Sequence, residues 1–297
     1  MTQVATTVAK TVQPDAYLKS LDAREFTAKF NRQPFTIGHQ LVDHPLFDLQ
    51  RLVELSQFLP PDSVEYNSGD LPVTQDPDLT PCNGLAIDET IRRIEECQSW
   101  MVLKNVEQDP EFRDILYDCL DEIREIVEPI APGMRVREGF IFVSSAGSVT
   151  PFHIDPENNF LLQIRGHKQV QLFDVEDRSV MSEEQLEKFF TGAHRNIPFL
   201  PEYEAKGHWF ELQPGEGLHF PVAAPHWVKN GSQVSISFSI TFQTDSSQRR
   251  QSLHRWNNGM RRMGITPSPV GARPWSDEVK YAGIRGCRIA KRILGKK

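Results

Sequence analysis

"GFIFVSSAGSVTPFHIDPENNFLLQIRGHKQVQLF" occupies residues 139–173, and its reading decides the fold. Apolar side chains recur at every second residue in "GFIFVSS", "PFHID", "NFLLQI" and "KQVQLF", with turn residues between the runs, which is the pattern of short strands. The same pattern continues in "GHWFELQ", "GLHFPV", "HWVKN" and "VSISFSITF". So many short strands in succession predict an antiparallel sandwich or barrel, and residues 133–244 are expected to form a mainly β core.

On both flanks the period becomes that of a helix. "DPEFRDILYDCLDEIREIVEP" sets Phe112, Ile115, Leu116, Cys119, Leu120, Ile123, Ile126 and Val127 at three- and four-residue spacing, one apolar face. "HPLFDLQRLVELSQFLPP" predicts an earlier helix stopped by Pro60 and Pro61, which cannot donate the helical hydrogen bond. A further helix is expected over about 88–98, followed by a short strand at "WMVLKNV". Residues 26–132 therefore read as a helical region packing on the core, and residues 1–25 as a poorly ordered lead-in. An insert at about 177–200 carries "SEEQLEKFFTG", a helix with Ser182 as N-cap and Gly192 as stop. Residues 245–297 read as a helical, basic C-terminal region.

Composition excludes several classes. With 39% apolar and 25% charged residues over 297 positions, the chain suits a globular protein with a sizeable core. No apolar run approaches twenty residues, so no transmembrane segment is expected. The start lacks a basic stretch followed by an apolar one, so no secretion signal is expected. Cys82, Cys97, Cys119 and Cys287 form no C-x-x-C pair, and suggest a reducing, cytoplasmic setting. From Arg249 onward nine Arg and four Lys face only Asp277 and Glu278, a basic tail on an acidic body. Such a tail can dock on its own domain, a partner, anionic lipid or nucleic acid.

The chemistry concentrates in a few positions. In an extended strand alternate side chains share a face, so His153 and Asp155 point the same way. With a second histidine they would form the facial triad of a non-haem Fe(II) site. His226, delivered to a strand start by a turn between Pro221 and Pro225, is preferred over His167, His208 and His219. A satisfied core histidine and a turn cap before Pro156 are the plainer readings of His153 and Asp155. Lys168 shares a face with Val170 and Leu172, where a buried ammonium needs an opposite charge. A dicarboxylate such as 2-oxoglutarate would supply it, with Thr150 as second donor; the plainer reading is a lysine snorkelling to water. In "VSISFSITF", Ser235, Ser237, Ser239 and Thr241 form one face, either solvent-facing on an edge strand or lining a polar pocket.

Taken together, "TPFHID" with Thr150, Pro151, His153 and Asp155, "NFLLQIRGHK" from Asn159 to Lys168, and the stretch from Gly215 to His226 resemble the JmjC or cupin-like 2-oxoglutarate oxygenases. The likeness extends to the asparaginyl hydroxylase that inhibits hypoxia-inducible factor and to bacterial cupin-like relatives, and it covers about residues 139–243. It implies a double-stranded β-helix (jelly-roll) core. It implies Fe(II) on His153, Asp155 and His226, with 2-oxoglutarate and O₂ as cosubstrates. Thr150 and Lys168 would hold the cosubstrate's distal carboxylate, Asn159 and Ser239 would lie beside the cofactors, and Phe140, Phe142 and Glu157 would belong to the substrate pocket. The family's pocket tyrosine has no evident counterpart. Because Asp155 keeps the carboxylate that halogenating members lack, the resemblance favours a hydroxylase acting on a protein side chain or a small molecule. The alternative is a metal-binding cupin without O₂ chemistry, an isomerase or a ligand-binding or regulatory module. The helix "SSQRRQSLHRWNNGMRRMG" carries Leu253, Trp256, Met260 and Met263 as an apolar stripe, read as a homodimer contact, and the last basic segment as a contact with an anionic surface.

Overall fold

The alternating runs become strands because branched and aromatic side chains pack on a pleated surface while turn residues permit the reversals. The computed structural model describes residues 16–19 and 22–294. Its strands are β1 (Leu18–Lys19), β2 (Phe35–His39), β3 (Val64–Ser68), β4 (Ser99–Lys104), β5 (Arg135–Ser144), β6 (Val149–His153), β7 (Asn158–Arg165), β8 (Lys168–Leu172), β9 (His208–Leu212), β10 (Glu216–Phe220), β11 (His226–Asn230) and β12 (Ser235–Gln243). Its helices are α1 (Ala23–Lys29), α2 (Leu49–Phe58), α3 (Ile87–Arg92), α4 (Pro110–Val127), α5 (Glu183–Phe189), α6 (Asp245–Arg262) and α7 (Pro274–Leu294).

All strand pairs are antiparallel, and they build two sheets. The larger runs β1-β2-β10-β7-β12-β5-β4-β3, and the smaller β6-β11-β8-β9. The two face each other as a jelly-roll sandwich with helices against the outer face of the larger sheet. That outer face carries Ile141, Val143, Phe160, Leu162, Ile236, Phe238 and Ile240, which share the main core with Phe112, Leu116 and Leu120 of α4. The apolar stripe read from the sequence of α4 is the stripe that is buried.

This packing decides the reading of "VSISFSITF". β12 lies between β7 and β5, so it is a central strand and not an edge. Its apolar face meets the helices, and Ser235, Ser237, Ser239 and Thr241 are buried on the sandwich side. Each hydroxyl has an internal partner: Gln163 Nε2 donates to Ser235, Ser237 donates to Gln163 Oε1, Ser239 to Asn159 Oδ1 and Thr241 to Glu138 O. The hairpin from β7 to β8 turns at Gly166, where φ is +69° and an added Cβ would lie 2.3 Å from Val234 O. Only glycine fits such a position.

The strand expected at "WMVLKNV" is present as β4, but the rest of the front of the chain differs from the helical reading. Residues 26–132 also supply β2 and β3 to the large sheet, and Leu18–Lys19 pairs with β2. These further strands are two to five residues long, too short for their alternation to stand out. Most of the 1–25 lead-in lies outside the described residues. The helix expected over 88–98 ends at Arg92 and gives way to turns.

The C-terminal stripe has a different role from the one its sequence suggests. Leu253 is buried with Val270 and Ile284, and Trp256 and Tyr281 pack beside them, so α7 of the same chain covers α6. Met263 alone stays largely exposed, at 70%. Several arginines of the basic region pair with the chain's own acids. Arg250 meets Glu176, and Arg261 clasps both oxygens of Glu187 at 2.8 and 3.1 Å. The last three residues lie outside the described residues. Among the described residues no helix is long and apolar enough to cross a membrane.

Candidate active site

Three side chains converge where β6 and β11 run side by side. His153 ends β6, His226 opens β11, and the two are register partners. Their ring centroids are 4.1 Å apart. Asp155 Oδ2 lies 3.7 Å from Nε2 of each histidine, and one donor atom from each of the three falls within 4.8 Å of the others.

The backbone sets the tautomers. His153 Nδ1 lies 2.7 Å from Pro151 O, and His226 Nδ1 lies 2.9 Å from Ala224 O. A carbonyl can only accept, so each Nδ1 carries the proton and each Nε2 presents a lone pair to the centre. Burial, and after it the neighbouring His153, lowers His226 to about 3, so its imidazole is neutral. Two imidazole nitrogens and a carboxylate oxygen aimed at one point fit a divalent metal with open coordination positions.

Asp155 uses its second oxygen to hold its orientation. Arg195 Nη1 donates to Oδ1 at 2.9 Å, which leaves Oδ2 facing the histidines. Burial alone would raise this carboxyl, but the Arg195 guanidinium holds it well below the usual carboxylate range. Arg195 reaches the site because its segment runs along β6: Ile154 N donates to Arg195 O, and Ile197 N to Phe152 O. The loop before His226 is tied down in the same way. Ala223, at φ +60°, donates its N–H to Asp155 O at 2.8 Å.

The competing histidines are placed elsewhere. His219 is buried among Phe30, Phe35 and Phe160, with Nδ1 on Asn159 O and Nε2 accepting from Asn31 N–H. Both its nitrogens are used, and burial lowers it to about 3. His208 is exposed, and His167 packs beside Gly231.

From the triad a narrow cavity runs between the sheets, past Asn159, Leu161 and Val228, to Thr150 and Lys168. Lys168 pairs with Asn230, four residues along β11 from His226, or about 13 Å of strand. Lys168 is 4% exposed, and its ammonium has no hydrogen bond or ion pair among the described residues. Burial pushes it down to about 7. Phe142 lines the cavity; Phe140 and Ser239 do not, and Ser239 acts on it through its 2.6 Å bond to Asn159 Oδ1. Glu157 lies off the lining, its carboxyl raised to about 8 by burial and then by Asp155. Three residues here carried no signal in the sequence: Arg195, on a distant insert, and Trp100 and Ser144, which line the cavity from β4 and β5.

The sandwich with a His-Asp-His cluster between its sheets defines a cupin-type protein. A family model described as a cupin-like domain matches residues 85–248, more than half of the chain, and the chain belongs to that family. It is similar to lysine-specific demethylase 8 of Xenopus tropicalis, 28% identical over 151 residues, 46% of this chain and 30% of that protein. It is also similar to JmjC domain-containing protein D of Dictyostelium discoideum, 33% identical over 105 residues, 32% of this chain and 22% of the relative. The chain thus spans less than a third of these relatives' length. In fold it is similar to the solved structure of Escherichia coli YcfD, with a TM-score of 0.52 at 14% identity, covering 92% of this chain and 69% of the other.

Proposed function

We propose that the chain is an Fe(II)- and 2-oxoglutarate-dependent dioxygenase that hydroxylates a protein side chain or a small molecule. One observation carries this reading: a single cavity has an open metal-ligand triad at one end and an unpaired buried ammonium at the other. A ligand that chelates a metal with one end and presents a carboxylate at the other satisfies both. The JmjC-domain relative and the cupin-like family support the same class, and the relative named as a lysine-specific demethylase supports a protein side chain as substrate.

In this reading His153, Asp155 and His226 hold the iron, and Lys168 and Thr150 hold the distal carboxylate. When bound, the metal supplies activation of O₂ coupled to oxidative decarboxylation of 2-oxoglutarate, giving succinate, CO₂ and hydroxylated product. The chain's own part is orientation. Pro151 O and Ala224 O fix both imidazoles, Arg195 fixes the carboxylate, and Leu161, Phe220 and Val228 keep water from the cavity walls.

Anaerobic titration with Fe(II) and 2-oxoglutarate tests the reading, followed by succinate release in air with peptide and metabolite pools. Saturable 2-oxoglutarate binding that requires metal is expected. Metal binding without 2-oxoglutarate affinity would favour a cupin without O₂ chemistry.

A further inference from the structure

The helix α7 has two apolar faces, and only one of them is covered. Toward α6 it presents Ile284, with Tyr281 beside it, and a Cβ added at Gly283 would lie 3.2 Å from the Trp256 ring. On the opposite side Trp275, Val279, Ala282, Gly286 and Ile289 follow one another at three- and four-residue spacing. At 3.6 residues per turn they fall in a stripe about 80° wide and about 21 Å long. The stripe is open to solvent: Trp275 is 67%, Val279 66% and Ile289 57% exposed. A Cβ added at Gly286 would meet nothing within 4 Å. Single exposed apolar residues are ordinary on a protein surface, but an aligned row of them marks a contact face.

The charges around the stripe are of one sign. The arginines of α6 meet the chain's own acids, Arg249 on Glu278, Arg250 on Glu176 and Arg261 on Glu187. Those of the α7 segment do not. Arg273 and Arg285 are exposed, with no hydrogen bond or ion pair among the described residues, and Arg288 donates only to the Ser252 hydroxyl. Both carboxylates of α7 are already engaged: Asp277 is buried 3.5 Å from the Lys280 ammonium, and Glu278 holds Arg249. The sequence continues with Lys291, Arg292, Lys296 and Lys297.

An apolar row bordered by cations, with no free carboxylate, selects its occupant. A second copy of α7 would set one group of cations against another. A nucleic-acid backbone would use the cations and leave Trp275, Val279 and Ile289 in water. An anionic bilayer surface satisfies both features, because the apolar row enters the headgroup boundary while the basic side chains stay among the phosphates. We propose that the outer face of α7 is a peripheral docking surface for a membrane rich in anionic lipid. Trp275, Val279 and Ile289 are its apolar anchors, and Arg285 and the basic residues after it supply the attraction. The inner face of α7 keeps the helix on α6, so the catalytic body is held at the bilayer without crossing it.

Flotation of the full chain with vesicles tests this, using phosphatidylcholine alone and an equimolar mixture of phosphatidylcholine and phosphatidylserine. Binding to the mixture, weakened by salt and absent on phosphatidylcholine alone, is expected. Val279→Gln with Ile289→Gln should weaken it by about tenfold to a hundredfold, and Arg285→Gln by about fivefold. These side chains pack on nothing, so each variant should keep the wild-type Tm and bind 2-oxoglutarate as before. The Trp275 indole should add a blue shift in fluorescence that Trp275→Phe removes. No flotation with either vesicle would overturn the proposal. So would full binding by the Val279→Gln, Ile289→Gln variant, which would reduce the contact to charge alone. A dimer in light scattering that the same variant dissolves, with no vesicle binding, would give the face to a second copy and overturn it as well.

Discussion

Replacing Lys168 by Met keeps the aliphatic stem and removes the charge, and it should move stability and affinity in opposite directions. In the ligand-free protein the ammonium is buried without a partner, and its pKa falls from 10.5 to about 7. The unfolded chain holds that proton up to about 10.5, whereas the folded protein releases it above about 7. Across this window the unfolded state binds more protons, so wild-type stability rises with pH and is lowest below about 7. The difference corresponds to about 4 kcal/mol at pH 7 as a ceiling. Lys168→Met lacks this penalty. Without ligand it should be more stable than wild type by up to about 4 kcal/mol near pH 7, an advantage that vanishes as pH approaches about 10.5. With 2-oxoglutarate the sign reverses, because a charge-assisted hydrogen bond of roughly 1.5–3 kcal/mol is gone, a rise in Kd of about tenfold to a hundredfold or more. Wild-type affinity should itself fall as pH rises above about 7, since the anion needs the protonated lysine. Urea unfolding at several pH values, with and without 2-oxoglutarate, reads all of these. A destabilised Lys168→Met with unchanged cosubstrate affinity would refute the reasoning and place the lysine outside the ligand site.

Other variants separate ligands from scaffold. His153→Ala and His226→Ala should lose Fe(II) in an anaerobic titration, while His219→Ala should keep the metal but unfold at lower temperature, because it removes the centre of an aromatic cluster. Arg195→Met frees Asp155 Oδ1 and should weaken metal affinity by about tenfold to a hundredfold, read by competition with a chelator; an unchanged affinity would deny Arg195 its orienting role. Arg261→Met leaves the Glu187 carboxylate, whose side chain is 1% exposed, without its clasp. It should cost about 3 kcal/mol of stability in chemical unfolding. Truncation after Gly271 removes α7, uncovers Leu253 and Trp256, and should lower the Tm; an unchanged Tm would mean that α7 contributes nothing to packing.

How far the sequence reached depends on the range of the interaction. The helix over Pro110–Val127 was legible because its apolar period is local, and the buried residues are the ones that period selects. The shared face of His153 and Asp155 was legible for the same reason, since strand alternation needs only two residues. β1, β2 and β3 were harder, because their own runs are only two to five residues long. The stripe on α6 was visible, but periodicity cannot say whether α7 or a second copy covers it.

What the sequence by itself determined is the inventory: a β core between helical flanks, a His-x-Asp pair, a lysine on an apolar face, and a motif resemblance that ties them together. What only the tertiary structure decided is adjacency. His226 stands beside His153 because β11 pairs with β6, and His219 is excluded because an aromatic cluster and Asn31 occupy it. Arg195 reaches Asp155, and Trp100 and Ser144 come to line the same cavity, through strand order and an insert's path along an edge. The physical reason is that alternation and periodicity are set by the backbone over a few residues, whereas contact between distant segments depends on which sheets pair and how they pack.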